Sequence, residues 1–120
     1  MTQSDKELLL KDLCARLPYG VNADITLNKE DECLNSYPIV GIVGDKIVFE
    51  TDIVSCSTDI EAVKPYLRLM SSMTEDESNK YTHLTFVERI DWLNSHHFDY
   101  RGLIEKGLAL EAPEGMYKSE

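Results

Sequence analysis

His96 and His97 are followed closely by Asp99, Tyr100 and Arg101, and these are the side chains that proton transfer or metal ligation recruits. His96, His97 and Asp99 are therefore the set that a small enzyme or a metal-binding protein would use. Their spacing argues against it. Adjacent histidines at a helix end point in different directions and lack the i, i+4 separation that puts two rings on one helical face. An imidazole in that place has a simpler use, donating to the last helical carbonyls, where its charged form also complements the helix dipole. His83 is expected in a loop, without a visible partner.

Other chemistries find less support. Cys14, Cys33 and Cys56 are odd in number and widely spaced, with no C-x-x-C pair, and read as reduced thiols. Cys14 is expected on the apolar face of a helix. Neither G-x-S-x-G nor a recognisable cysteine context offers a nucleophile. Gly41 and Gly44 fall in a hairpin, and no glycine-rich loop follows a strand to cradle phosphate. The acidic runs Glu30-Asp31-Glu32 and Glu75-Asp76-Glu77 lack the alternation of a calcium loop and read as solvated charge. No catalytic residue, metal site or cofactor is expected.

The elements that would position these residues follow from periodicity. Ser4 and Glu7 have the spacing of a capping box, so a first helix is expected over residues 5–17, with Leu10, Leu13, Cys14 and Leu17 inward, Lys11, Asp12 and Arg16 elsewhere, and Pro18 as the stop. Val21, Ala23, Ile25 and Leu27 alternate with polar residues and predict a strand buried on one face. Residues 38–43 and 46–51 flank Gly44-Asp45, a pair suited to the tip of an antiparallel hairpin, with Ile47 and Phe49 on one sheet face and Val48 on the other. A short fourth strand over 53–56, a single helical turn over 60–64 and an irregular stretch over 64–72 come next. Thr74 with Glu77 and Thr85 with Glu88 repeat the capping spacing, the second opening a helix to about His96 whose Phe86, Val87, Ile90 and Leu93 face is expected to pack on the sheet. Asp99 would cap a last helix over 100–106, ended by Gly107. The expectation is a single α+β domain over 1–120, frayed at 1–4 and 114–120: an N-terminal helix, a small antiparallel sheet and C-terminal helices packed on it.

The chain has 120 residues, 42% of them hydrophobic, with 6 Gly and 4 Pro, which is enough apolar surface for one core and argues against disorder. Twelve basic residues against 22 acidic ones give a net charge of −10, a field that repels phosphate backbones and anionic lipids. Neither nucleic acid nor membrane is an expected partner. MTQSDKELLLKDL has no cationic segment followed by a long apolar run, and no apolar run is long enough to cross a bilayer, so a cytoplasmic location is expected.

Two stretches carry a resemblance. KPYLRLMSSMTEDE over 64–77 and DWLNSHHFDYRGLIEKGLALEAPEGMY over 91–117, together with the opening DLCARLPYGV over 12–21, resemble a family of small uncharacterised proteins of gut anaerobes and their mobile elements. Leu69 stands where members of that family tend to have Pro. The resemblance implies no activity. It implies a phage-like or integrated-element setting, in which small acidic accessory proteins that bind other proteins are common.

Loops on a rigid scaffold gather binding residues, and aromatic and arginine side chains anchor protein interfaces. If the 64–73 stretch packs beside the helix junction near 92–101, Tyr66, Arg68, His97, Tyr100 and Arg101 form one surface with a local positive bias, suited to an acidic or aromatic partner. The competing expectation is that the tyrosines are buried and the arginines pair with carboxylates. The functional expectation is a non-enzymatic accessory domain that binds another protein, partner unidentified; the alternative is the enzyme or metal protein built on His96, His97 and Asp99.

Overall fold

The computed structural model describes residues 2–26, 33–44, 46–50, 55–113 and 116–117. Helix α1 (Gln3–Arg16) starts two residues earlier than Ser4 and Glu7 suggest. Thr2 is the cap: its hydroxyl accepts from the Asp5 N–H while the Asp5 carboxylate accepts from the Thr2 N–H. The earlier pair wins because nothing between Thr2 and Ser4 breaks a helix, and each added residue gains a backbone bond. The buried face is also turned from the expected one. Leu9, Asp12, Leu13 and Arg16 are buried, at i, i+3, i+4 and i+7, whereas Cys14 is exposed and Leu10 and Leu17 are half-buried. Two ionised residues therefore sit on the inward stripe, where a hydrophobic pattern cannot register them.

The sheet has six strands in the order β4-β3-β2-β1-β5-β6. β1 (Asn22–Thr26) follows the expected alternation, with Val21, Ala23 and Ile25 fully buried; Leu27 lies outside the described residues. β2 (Cys33–Val43) and β3 (Lys46–Glu50) form the expected hairpin, with Val43 opposite Lys46 and Gly44 at a φ of 63°, the left-handed conformation that a tight hairpin turn asks of glycine. Ile47 and Phe49 are buried and Val48 is on the other face, while Asp45 lies outside the described residues. β4 (Ser55–Asp59) pairs with β3 over its whole length, a few residues later than expected. A single turn of tight helix, 60–62, links it to β5.

β5 (Val63–Leu67) occupies the stretch expected to be irregular. Its alternation is regular, with Val63, Pro65 and Leu67 buried and Lys64 exposed. Pro65 fits because β6 (Leu110–Glu111), the parallel neighbour, pairs only with Tyr66 and Leu67, so no ladder on that side asks for the missing N–H.

Helices α2 (Glu75–Thr82) and α3 (Phe86–Ser95) open with the two expected capping boxes, Thr74 with Glu77 and Thr85 with Glu88. No last helix forms over 100–106. The chain turns there instead, because the Asp99 carboxylate accepts from the N–H groups of Leu103 (2.8 Å) and Ile104 (3.0 Å), too far along the chain to start a helix at residue 100. Gly107 closes the turns at a φ of 76°.

One core cluster joins Leu9 and Leu13 of α1 to the inner sheet residues Ala23, Ile25, Ile39, Ile47, Phe49, Val63 and Leu67, with Leu103, Leu108 and Ala109 from the C-terminal turns. The expected packing of α3 is corrected. Phe86 is 79% and Val87 71% exposed, Ile90 is half-buried, and of that face Leu93 alone is buried. A stripe of period 3.6 names a face but not its depth, and here the helix enters the protein only at its C-terminal end. Leu93→Ala should accordingly cost about 2–5 kcal/mol in urea denaturation, as a buried large-to-small change. Phe86→Ala should stay within about 0.5 kcal/mol of the parent, as exposed positions do.

Candidate functional site

The expected interaction residues surround the segment that leaves α3. His96 caps the helix and His97 takes a φ of 60°, the conformation glycine usually supplies at this position. The His97 N–H donates to the Asn94 carbonyl (3.1 Å) and the Phe98 N–H to the Leu93 carbonyl (2.9 Å). This paired closure turns the chain back toward the sheet. Phe98 then bridges to Arg68 in parallel: the Arg68 N–H donates to the His97 carbonyl (2.7 Å), and the Asp99 N–H donates to the Arg68 carbonyl (2.8 Å).

Arg68 is engaged on two sides. Its guanidinium lies 4.1 Å from the centre of the Phe98 ring and makes a two-pronged contact with Glu77 at 2.8 and 2.7 Å. The Arg68 hydrogen bonds hold the Glu77 carboxyl at about 2, helped by the backbone N–H of Thr74, in spite of the burial that pushes the other way. Arg101 is occupied as well, donating to Asp12 (3.1 Å) and to the Tyr100 hydroxyl (3.1 Å). That hydroxyl in turn donates to Asn94 at 2.9 Å. The positive bias expected of this surface is thus reduced by Glu77 and by Asp12, which Arg101 shares with Arg16. Tyr66 is half-buried on β5, and its carbonyl accepts from the Tyr117 hydroxyl at 2.7 Å.

Asp12 and Arg16 tie the same segment to α1. Arg16 donates to both Asp12 oxygens, at 2.8 and 3.2 Å, and to the Phe98 carbonyl, and its guanidinium lies 5.4 Å from the centre of the Tyr100 ring. Both side chains are completely buried. Sequence reasoning placed them on the outside, although their i, i+4 spacing is that of an ion pair on one helical face.

His96, His97 and Asp99 do not converge. The His96 ring stacks on Trp92 with centroids 4.3 Å apart, and its Nδ1 meets the Trp92 carbonyl at 3.0 Å, the use expected of a histidine at a helix end. The His97 ring is buried against Tyr117, 4.0 Å between centroids, and the Asp99 oxygens are taken by backbone N–H groups. Burial is the first cause that pushes His97 down to about 4, the positive Arg16 beside it the second. Among the described residues no group of three or more His, Cys, Asp or Glu could hold a metal ion.

Tyr117 is the residue the sequence concealed. It lies in the tail expected to fray, yet its hydroxyl accepts from the Asn22 N–H at 2.9 Å while donating to Tyr66, and burial raises it to about 12. Residues 114–115 and 118–120 of that tail lie outside the described residues.

Two outcomes test this arrangement. Arg16→Leu leaves Asp12 buried with only the partly exposed Arg101 and should cost about 3–5 kcal/mol in urea denaturation; adding Asp12→Leu should recover part of that loss. The buried neutral His97 takes a proton less readily than it does in the unfolded chain. Its contribution is therefore complete above about 6.5 and lost as the pH falls from there to about 4. The parent's loss across that window should exceed that of His97→Asn, which tolerates the same backbone, by about 3 kcal/mol. Glu77 acts lower, losing its contribution from about 4.5 down to about 2.

Compared with family models, with curated proteins and with solved structures, the chain matches none.

Proposed function

We propose that the protein is a non-enzymatic, cytoplasmic accessory domain of a phage-like or integrated element that works by binding another protein. The observation that carries this reading is the start of α3. Phe86 and Val87 stand 79% and 71% exposed on the first turn of a helix held rigid by the Thr85 and Glu88 capping box, with half-buried Ile90 one turn on. A large aromatic side chain kept in water by a fixed backbone gains free energy only when something covers it, and aromatics are the residues protein interfaces concentrate. Exposed Glu88 and Asp91 flank the step, and the whole chain carries −10. The partner chemistry that fits is an apolar pocket with a basic rim, drawn in by the field of the acidic chain.

The docking surface on this reading is the start of α3 instead of the set Tyr66, Arg68, His97, Tyr100 and Arg101, whose arginines are already engaged by Glu77 and by the Asp12 carboxylate shared with Arg16. The His96, His97 and Asp99 reading gains no support, since each group is turned to its own internal contact.

Co-purification from the native host, with mass spectrometry of the captured proteins, tests the proposal. The Phe86→Ser/Val87→Ser protein should lose the partner that the parent retains while melting within about 2 °C of it, because exposed positions contribute little to stability. Retention of the same partner by the double variant would overturn the reading.

A further inference from the structure

A shallow, open cleft of about 630 Å³ lies between the C-terminal ends of α2 and α3, lined by Asn79, Lys80, His83, Leu84, Trp92 and His96. None of the six is acidic, in a chain with 22 acidic residues, and two of its three histidines are here. Lys80 makes no ion pair among the described residues.

The two histidines are held in the same way. The Nδ1 of His83 meets the Asn79 carbonyl at 2.6 Å and that of His96 the Trp92 carbonyl at 3.0 Å, each four residues back at its own helix end. A carbonyl only accepts, so Nδ1 carries the proton in both rings and Nε2 is the atom left for another partner. When either ring is charged, Nε2 gains a donor N–H. The carbonyls at the end of α2 do not oppose an anion. Tyr81 and Thr82 are bonded by the Arg89 guanidinium, at 3.0 and 3.2 Å, and Asn79 by His83. Trp92 and Leu84, both half-buried, give the cleft an apolar wall, and Trp92 is braced by Tyr81 at 5.8 Å and Phe98 at 5.6 Å between ring centres.

We propose that this cleft binds a small organic anion with a flat apolar body, its carboxylate held by Lys80 and, once the rings take a proton, by the Nε2–H groups of His83 and His96, its ring against Trp92 and Leu84. A size of several hundred Å³, an apolar wall and a few converging polar groups are the general attributes of small-molecule sites. The proposal is independent of the docking surface at Phe86 and Val87, which lies at the other end of α3.

Trp92 is the one tryptophan in the chain, so its indole N–H signal in a nitrogen-proton NMR spectrum reports on the cleft directly. The probes are benzoate and its neutral counterpart, benzyl alcohol, titrated to millimolar concentration. Benzoate should move the Trp92 signal to saturation with an affinity at least about tenfold above that of benzyl alcohol, the difference a charge-assisted contact contributes. Lys80→Gln, at an exposed position, should weaken benzoate about fivefold or more without changing the melting temperature. His83→Gln should weaken it in the same direction. A Trp92 signal that does not move, equal response to the neutral probe, or unchanged benzoate affinity in Lys80→Gln would each overturn the proposal.

Discussion

An aspartate and an arginine with no access to water hold this fold to a single arrangement. Burying either charge alone costs several kcal/mol, and the pair is better tolerated the more of its remaining hydrogen-bonding capacity is met. Asp12 meets it with Arg16 and Arg101, while Arg16 meets it in part, through Nε and one Nη that also reaches the Phe98 carbonyl, its other Nη being buried without a partner among the described residues. The helix can therefore lie on the sheet only if residues 98–101 are in place beside it. Phe98 is in place only because the end of α3 is closed through His97 and because its neighbours pair with Arg68. Apolar contacts such as Leu9 and Leu13 supply most of the driving force, being non-directional. The charges supply direction.

A second set of contacts leads outward from the same segment. Phe98 lies between the Arg68 guanidinium and the Trp92 indole, and Trp92 stacks in turn with His96 at the edge of the α2–α3 cleft. Glu77 does two jobs in that assembly, accepting from the Thr74 N–H in the capping box and from both prongs of Arg68. The start of α2 is thus fixed relative to the end of β5 by one carboxylate. The amphipathic pattern of α2 contributes little, since Glu77 is its one buried residue.

Much of this was legible in the sequence where the signal is local. The capping boxes at Thr74 and Thr85, the hairpin tip at Gly44 and the alternation beginning at Val21 each depend on a few neighbouring residues, and each stands as read. The α+β class follows from their order. What stayed hidden depends on distant partners. Asp12 and Arg16 look like solvent-facing charges until Phe98 and Arg101 arrive, and Arg68 looks like a free cation until α2 brings Glu77 to it. β5 was masked by Pro65, whose effect depends on how short β6 is. Tyr117 follows a stretch with the composition of a frayed tail, and only its hydrogen bonds to the backbone of Asn22 and Tyr66 explain its place.

The buried pair also sets a timetable for synthesis on the ribosome. Asp12 and Arg16 are made early, and their partners Phe98 and Arg101 lie 82 and 89 residues later. Until those emerge, α1 can bury its apolar stripe only by stripping water from a guanidinium whose carbonyl acceptor does not yet exist. The N-terminal helix is thereby kept from settling on an incomplete sheet, and the nascent chain docks it once residues 98–101 are available. Contacts between such distant residues are slow to form, because the loop between them must close first. Docking of α1 consequently waits for the segment that follows α3, and joins residues 12–16 to residues 98–101 in one concerted step.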